Sequence, residues 1–195
     1  MSSINLPQQL KTIFDRENSH SKSNDISHLL DCLLKAMINL LQCDRCYLYI
    51  RDPELSIGQI VHCHRTCAEI PDVKDDRPHS ESLYLLEKDP LFAAALQCEK
   101  NIYIDDLTAI SNKQSDIIFF HNNYKGQKSL IQAHICSDGQ LWGIMQFSQF
   151  QYYRPWTQFD RNLINNVLDS ITPLISIYVK RELRHTIQEF GDDCS

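Results

Sequence analysis

The residues best suited to chemistry in this chain are thiols and imidazoles. Cys43 and Cys46 are spaced as Cys-x-x-Cys, and His62-Cys63-His64-x-x-Cys67 follows on what reads as the next strand. Thiolates and imidazoles in such spacing are ligands for zinc or an iron–sulfur cluster. The candidate metal set is therefore Cys43, Cys46, His62, Cys63, His64 and Cys67. A second chemistry is thiol redox, as a sensor or an oxidoreductase, drawing on Cys43, Cys46, Cys63, Cys67 and Cys98. A nucleophilic thiol needs nearby positive charge to lower its pKa, and His64 and Arg65 are close in sequence. The plain reading of the same residues is packing. Cys43 falls at a helix end and Cys46 at a core-facing strand position, and free cysteine is a common small buried hydrophobe. Cys63 and the two histidines beside it alternate, so they point to opposite faces of a strand.

Composition narrows the function classes. The chain has 195 residues, 43% of them hydrophobic and 23% charged, as expected of a globular protein with a substantial core. A net charge of -6 argues against nucleic acid, which calls for a basic face. It also argues against a polybasic membrane anchor. Apolar runs fall short of the roughly 20 residues of a membrane span, and the N-terminus has no charged-then-apolar signal design. A cytoplasmic protein is expected, in which eight cysteines read as thiols and not disulfides. Neither GxGxxG nor GxxxxGK[ST] occurs, which removes the usual phosphate cradles.

The elements that would position these residues follow from periodicity. Leu6, Leu10, Ile13 and Phe14 predict a short helix over about 7–17, followed by a polar linker to Ser23. Ile26, Leu29, Leu30, Leu33, Leu34, Met37, Leu40 and Leu41 form an i, i+3, i+4, i+7 stripe, which predicts a long helix over 25–43. Cys46, Leu48 and Ile50 then alternate with Arg45, Tyr47, Tyr49 and Arg51, as on a half-buried strand. Asp52-Pro53 and Ser56-Ile57-Gly58 turn the chain into a second strand, Gln59 to Arg65. A polar loop is expected from Ala68 to Ser82. Asp89 caps a helix that begins at Pro90 and runs to about Gln97. A short strand over Asn101–Ile104 and a short helix over Ile117–Tyr124 follow. Asp138-Gly139 joins Leu130–Cys136 to Gln140–Phe147 in a hairpin. With simple register, His134 and Trp142 face each other across it. The closing helix is expected over 157–190, with Pro173 inside it to kink it. Helices before and after a set of hairpins predict an α+β fold. The division is an N-terminal helix and linker (1–23), one domain (24–190) and a tail (191–195).

Four segments carry a resemblance. Leu141-Trp142-Gly143 leads through Arg154-Pro155-Trp156 into the closing helix. Leu40-Leu41-Gln42-Cys43-Asp44-Arg45 precedes Tyr47-Leu48-Tyr49 and Asp52-Pro53. Asp89-Pro90-Leu91-Phe92 and Ile104-Asp105-Asp106-Leu107 complete the set. In this order, over roughly residues 25–180, they resemble the GAF domains of cyanobacteriochromes and phytochromes. The resemblance implies a GAF-like antiparallel sheet of about six strands, with long N- and C-terminal helices packed on one face. It also suggests a photosynthetic host.

The departures bear on function. Asp89-Pro90-Leu91-Phe92 resembles the family's Asp-x-Cys-Phe motif, with Leu91 in place of the cysteine. The region matching the second attachment helix, Asp116 to Phe120, has no cysteine, and the family histidine after Leu-Trp-Gly falls near Ser148. Leucine offers no thiol for a thioether. The expectation is a non-catalytic regulatory or signalling module with no cofactor, a non-covalent bilin or another small ligand being the alternative. A pocket would draw on Asp89, Phe92, Asp106, Phe119, His134 and Trp142. Asp106 is placed there because the family aspartate at that point contacts the bilin pyrroles. GAF-fold enzymes that reduce free methionine sulfoxide are the enzymatic alternative, with Cys63, Cys67 and Cys98 as the thiols. The helices 25–43 and 157–190 are the expected surface for a protein partner or a homodimer. Too few residues remain outside the domain for an output domain, so a signal would pass to a separate partner. Tyr152, Tyr153 and Trp156 read either as an exposed patch or as packing of the loop onto the closing helix.

Overall fold

The computed structural model describes residues 23–82, 88–109 and 126–184. The expected helices over 7–17 and 117–124, and Phe119 with them, lie outside these residues.

Helix α1 (Ser23–Leu41) forms on the predicted stripe. Leu30, Leu34, Met37 and Leu41 are fully buried. Each buried leucine contributes about 1.5–3 kcal/mol over an exposed one. The helix stops where Gln42 takes a left-handed φ of 48°. Strand β1 (Arg45–Asp52) pairs antiparallel with β2 (Ile57–Arg65). Asp52 ends β1 by accepting hydrogen bonds from the N–H groups of Glu54 and Leu55 through Oδ1. Strand β3 (His79–Ser80) adds to β2 inside the stretch expected as a loop. Helix α2 (Pro90–Leu96) and β4 (Ile102–Ile104) precede the hairpin of β5 (Ser129–Ser137) and β6 (Gln140–Gln149). The hairpin turn has φ of 53° at Asp138 and 73° at Gly139, the pair of left-handed residues that Asp-Gly supplies. Helix α3 (Gln158–Tyr178) closes the fold and runs on as a π-helical turn, Val179–Leu183. Thr157 and Asp160 cap its start in a reciprocal capping box. Pro173 lies within α3.

The six strands make one antiparallel sheet in the order β3-β2-β1-β6-β5-β4. The main core lies between one face of this sheet and helices α1 and α3. It takes in Cys46, Leu48 and Ile50 of β1, Ile131, Ala133 and Ile135 of β5, and Met145 and Phe147 of β6. The opposite face carries a smaller cluster of Tyr49, Phe92, Ala95, Leu141 and Ile144, under α2. The α+β architecture with six strands and both long helices on one face is as expected.

Two predicted details differ. The register slips between Ile135 and Cys136, so that His134 pairs with Ile144 and Cys136 with Leu141. Trp142 is the extra residue, left between Gly143 and Leu141, and it turns into the helix-side core, where it joins Met145 and Phe147. His134 and Trp142 thus lie on opposite faces and do not meet. The second detail is β3, too short at two residues to leave an alternating pattern.

Candidate functional site

A cavity of about 190 Å³ lies on the sheet face away from the long helices, lined by Tyr47, Tyr49, Asp75, Asp89, Phe92 and Gln132 among others. Each of these side chains is placed by a local cause. Asp89 is the N-cap of α2, in extended geometry, and its Oδ1 accepts from the N–H groups of Leu91 (2.9 Å) and Phe92 (3.1 Å). Phe92, one turn on, meets the Tyr49 ring edge-on, with centroids 6.1 Å apart. Gln132 Nε2 donates to the Leu91 carbonyl at 2.7 Å and so ties α2 to β5. Asp75 accepts from the Ile60 N–H at 2.7 Å, which fixes the loop before β3. The Tyr49 hydroxyl donates to Glu81 at 2.9 Å. Burial pushes the phenols of Tyr47 and Tyr49 up, so both stay neutral.

A wider cleft of about 550 Å³ runs along the sheet edge, between residues 98–101, the ends of β4 and β5, and α3. Cys98, Tyr103, His134, Cys136 and Arg161 are among its walls. The Arg161 guanidinium stacks 4.0 Å from the Tyr103 ring centre. His134 Nδ1 lies 2.9 Å from the Glu99 carbonyl oxygen, an acceptor only, so Nδ1 carries the proton. Its Nε2 then accepts from Gln132 at 3.3 Å. Burial holds the His134 pKa below its ordinary value, against the pull of the Glu99 carbonyl. His134 and Gln132 thus connect the two cavities.

Of the expected pocket residues, Asp89 and Phe92 line the face cavity, and His134 lines the edge cleft. Trp142 packs under the long helices, with Lys180 Nζ 4.9 Å from its ring centre. Asp106 lines neither cavity. Its Oδ1 accepts from the N–H (2.8 Å) and hydroxyl (2.6 Å) of Thr108, a local turn on the surface. Its neighbour Asp105 holds the loop before α3, accepting the Trp156 N–H at 2.9 Å. Trp156 is buried against that loop, whereas Tyr152 and Tyr153 are half exposed.

The metal set does not assemble. Cys43 and Cys46 are buried in the core, and burial pushes the Cys43 thiol up to about 12. His62 and His64 dock on α1, with His64 Nε2 2.8 Å from Asp31. Cys63 faces the other way, toward Asp72, and Cys67 is exposed. Among the described residues, no group of three or more histidine, cysteine, aspartate or glutamate side chains is placed to hold a metal ion.

Several lining residues had a sequence signal that went unused. Tyr47 and Tyr49 alternate with the core residues of β1, and Gln132 sits two positions from His134 on the same face. Cys136 lies at the register slip and could not have been placed from spacing.

The GAF domain family model matches residues 25–172. The phycocyanobilin-bound GAF domain from a cyanobacterial phytochrome is 16% identical, with a TM-score of 0.68, over 93% of this chain and 99% of that one. The blue-light absorbing form of the Thermosynechococcus elongatus PixJ GAF domain is 15% identical, with a TM-score of 0.60, over 87% and 94%. The GAF domain of an Acinetobacter phosphoenolpyruvate-protein phosphotransferase is 11% identical, with a TM-score of 0.64, over 93% and 98%. No curated protein matches the sequence. At such identities the likeness to these structures is one of fold.

Proposed function

The chain belongs to the GAF domain family, and on that premise we propose that it is a non-catalytic regulatory module sensing a small ligand in the face cavity. The observation that carries this reading is the lining itself. The carboxylates of Asp75 and Asp89 stand with the rings of Tyr47, Tyr49 and Phe92 around one half-open cavity. Carboxylates beside aromatic faces suit a small cation or amine.

A bilin fits these residues poorly. Leu91, at the position of the family's cysteine, is buried with Ile104, Leu107 and Leu130 and has no sulfur to form a thioether. The cavity, at about 190 Å³, is below the roughly 300–1,000 Å³ of sites for drug-sized ligands, and a tetrapyrrole is larger still.

The test is a thermal-shift screen of small amines and other metabolites, with Ile60→Phe as a variant that fills the cavity. Ile60 lines it. A ligand raising Tm in the parent and not in the filled variant is expected. Equal shifts in both would move the site elsewhere. A visible absorption band with added mass on the chain would overturn the reading in favour of a pigment.

A second reading rests on α3, where Phe159 is 64% and Ile177 42% exposed. Contact with a protein partner or a second copy through α1 and α3 would cover them. Sedimentation of the parent and of Phe159→Glu tests this. One monomeric mass for both at high concentration rules out the homodimer, and a pull-down with each then tests for a different protein.

A further inference from the structure

We propose that Cys98 and Cys136 are a reversible redox pair, joined by a disulfide when an oxidant of the peroxide class enters the edge cleft. Three observations meet at these residues. Both thiols line the same cleft, and both are partly accessible. The Cys136 side chain lies within hydrogen-bond reach of the Cys98 sulfur. Cys98 also occupies a position where the backbone calls for another residue. It follows Gln97, the C-cap of α2, with a φ of 51°. Its N–H donates to the Ala95 carbonyl and the Glu99 N–H to the Ala94 carbonyl, the paired bonds of a Schellman ending. Glycine, or less often asparagine, usually fills that left-handed position. Here it holds a thiol, directed at the second thiol.

The remaining cysteines of the described residues offer a contrast. Cys43 and Cys46 also lie near each other, but both are sealed in the core under α1, out of reach of an oxidant. Cys32 and Cys67 are exposed on α1 and after β2, and Cys63 is half-buried beside Asp72.

The roles differ between the two sulfurs. Burial, with the hydrogen bond to Cys98, pushes the Cys136 thiol up to about 12. Cys136 therefore stays protonated, and the sulfur that meets the oxidant first is that of Cys98 on the cleft wall. The Cys98 sulfur attacks one peroxide oxygen, an S–O bond forms as the O–O bond breaks, and the departing hydroxide takes up the Cys98 proton as water, which leaves Cys98 as the sulfenic acid. The Cys136 sulfur then attacks the Cys98 sulfenic acid. The S–S bond forms, the S–O bond breaks, and the second water leaves with the Cys136 proton. Two thiols are oxidised and one peroxide is reduced to two waters. The bond would tie the end of α2, which carries Asp89 and Phe92, to β5. A thiol reductant would release it.

The test is peptide mapping of the whole chain after brief treatment with hydrogen peroxide and alkylation of free thiols. Trypsin places Cys98 in the peptide Asp89–Lys100 and Cys136 in Ser129–Arg161, since Pro155 blocks cleavage after Arg154, each as its one cysteine. A cross-link between these two peptides, two mass units below the free pair and lost on adding dithiothreitol, is expected. In Cys136→Ser, a sulfenic-acid probe should label Cys98. In Cys98→Ser, it should leave Cys136 unlabelled. The proposal is overturned if both cysteines of the parent chain remain alkylatable while peroxide is consumed. It is equally overturned if Cys98 is found linked to another cysteine or oxidised alone. The parent-chain map decides this even if a variant fails to fold.

Discussion

Arg51 and Glu81 form a two-pronged ion pair across 30 residues, with Nε to Oε1 at 2.6 Å and Nη2 to Oε2 at 3.1 Å. Both side chains are almost completely buried. The Tyr49 hydroxyl completes the arrangement by donating to the same Glu81 oxygen. This contact pins the segment that carries Asp75 and β3 onto β1, and so shapes one wall of the face cavity.

Removing one partner of this pair leaves a charge in the interior with nothing to neutralise it. Glu81→Leu is expected to cost about 3–5 kcal/mol. Arg51→Met combined with Glu81→Leu should recover much of that loss, because no charge is then buried. Urea unfolding of the three proteins checks it. Equal stability of the single variant and the parent would mean that water reaches the pair.

Gly143 is required by a close approach of backbone. A Cβ added there would sit 2.5 Å from the Tyr49 carbonyl oxygen on the paired strand. A carbonyl held in a ladder has no room to retreat. Gly143→Ala should destabilise by about 1–3 kcal/mol, the usual cost of overpacking. A fall in Tm in a thermal melt reports it.

His134 makes stability depend on pH. Burial holds its folded pKa below the ordinary 6.5, so the unfolded chain takes up the proton first as pH falls. The folded state then binds fewer protons, and stability declines as pH drops below about 6.5, levelling once folded His134 is itself protonated. His134→Gln removes this part of the slope. Denaturation midpoints across that range compare the two.

The start of α3 depends on Asp160. Its carboxylate accepts from Arg154 Nη2 at 3.0 and 3.1 Å, while Arg154 Nη1 turns to the carbonyls of Leu41 and Gln42, and it accepts from the Thr157 N–H at 2.8 Å. Asp160 is 1% exposed. Asp160→Ala should cost about 3–5 kcal/mol, since it takes the carboxylate from the mostly buried Arg154 and removes half of the capping box. Thr157→Ala, which removes the hydroxyl cap alone, should cost about 1 kcal/mol. The ratio of the two losses in chemical unfolding separates the ion pair from the cap.

Short-range pattern was sufficient for most of the architecture. The stripe from Ile26 to Leu41 could satisfy its apolar side chains only on a helix face, and the alternation from Arg45 to Arg51 only on a strand. Asp138-Gly139 required a left-handed turn, and Asp89-Pro90 a helix start. All of these are local rules, in which neighbours along the chain decide the outcome.

The site depended on what is distant. One extra residue in β6, Trp142 itself, set that side chain on the helix side with Met145 and Phe147 while His134 stayed on the side of α2, because strand facing has a period of two and a single slip inverts it. Asp106 matched a motif, yet its carboxylate is satisfied two residues away by Thr108. The sequence by itself determined the elements and the class of sheet, since periodicity and turn chemistry are local. Only tertiary structure decided which side chains share a cavity and that Cys98 meets Cys136. Those meetings span 38 residues of sequence and depend on the end of α2, the slip between β5 and β6 and the position of α3 together.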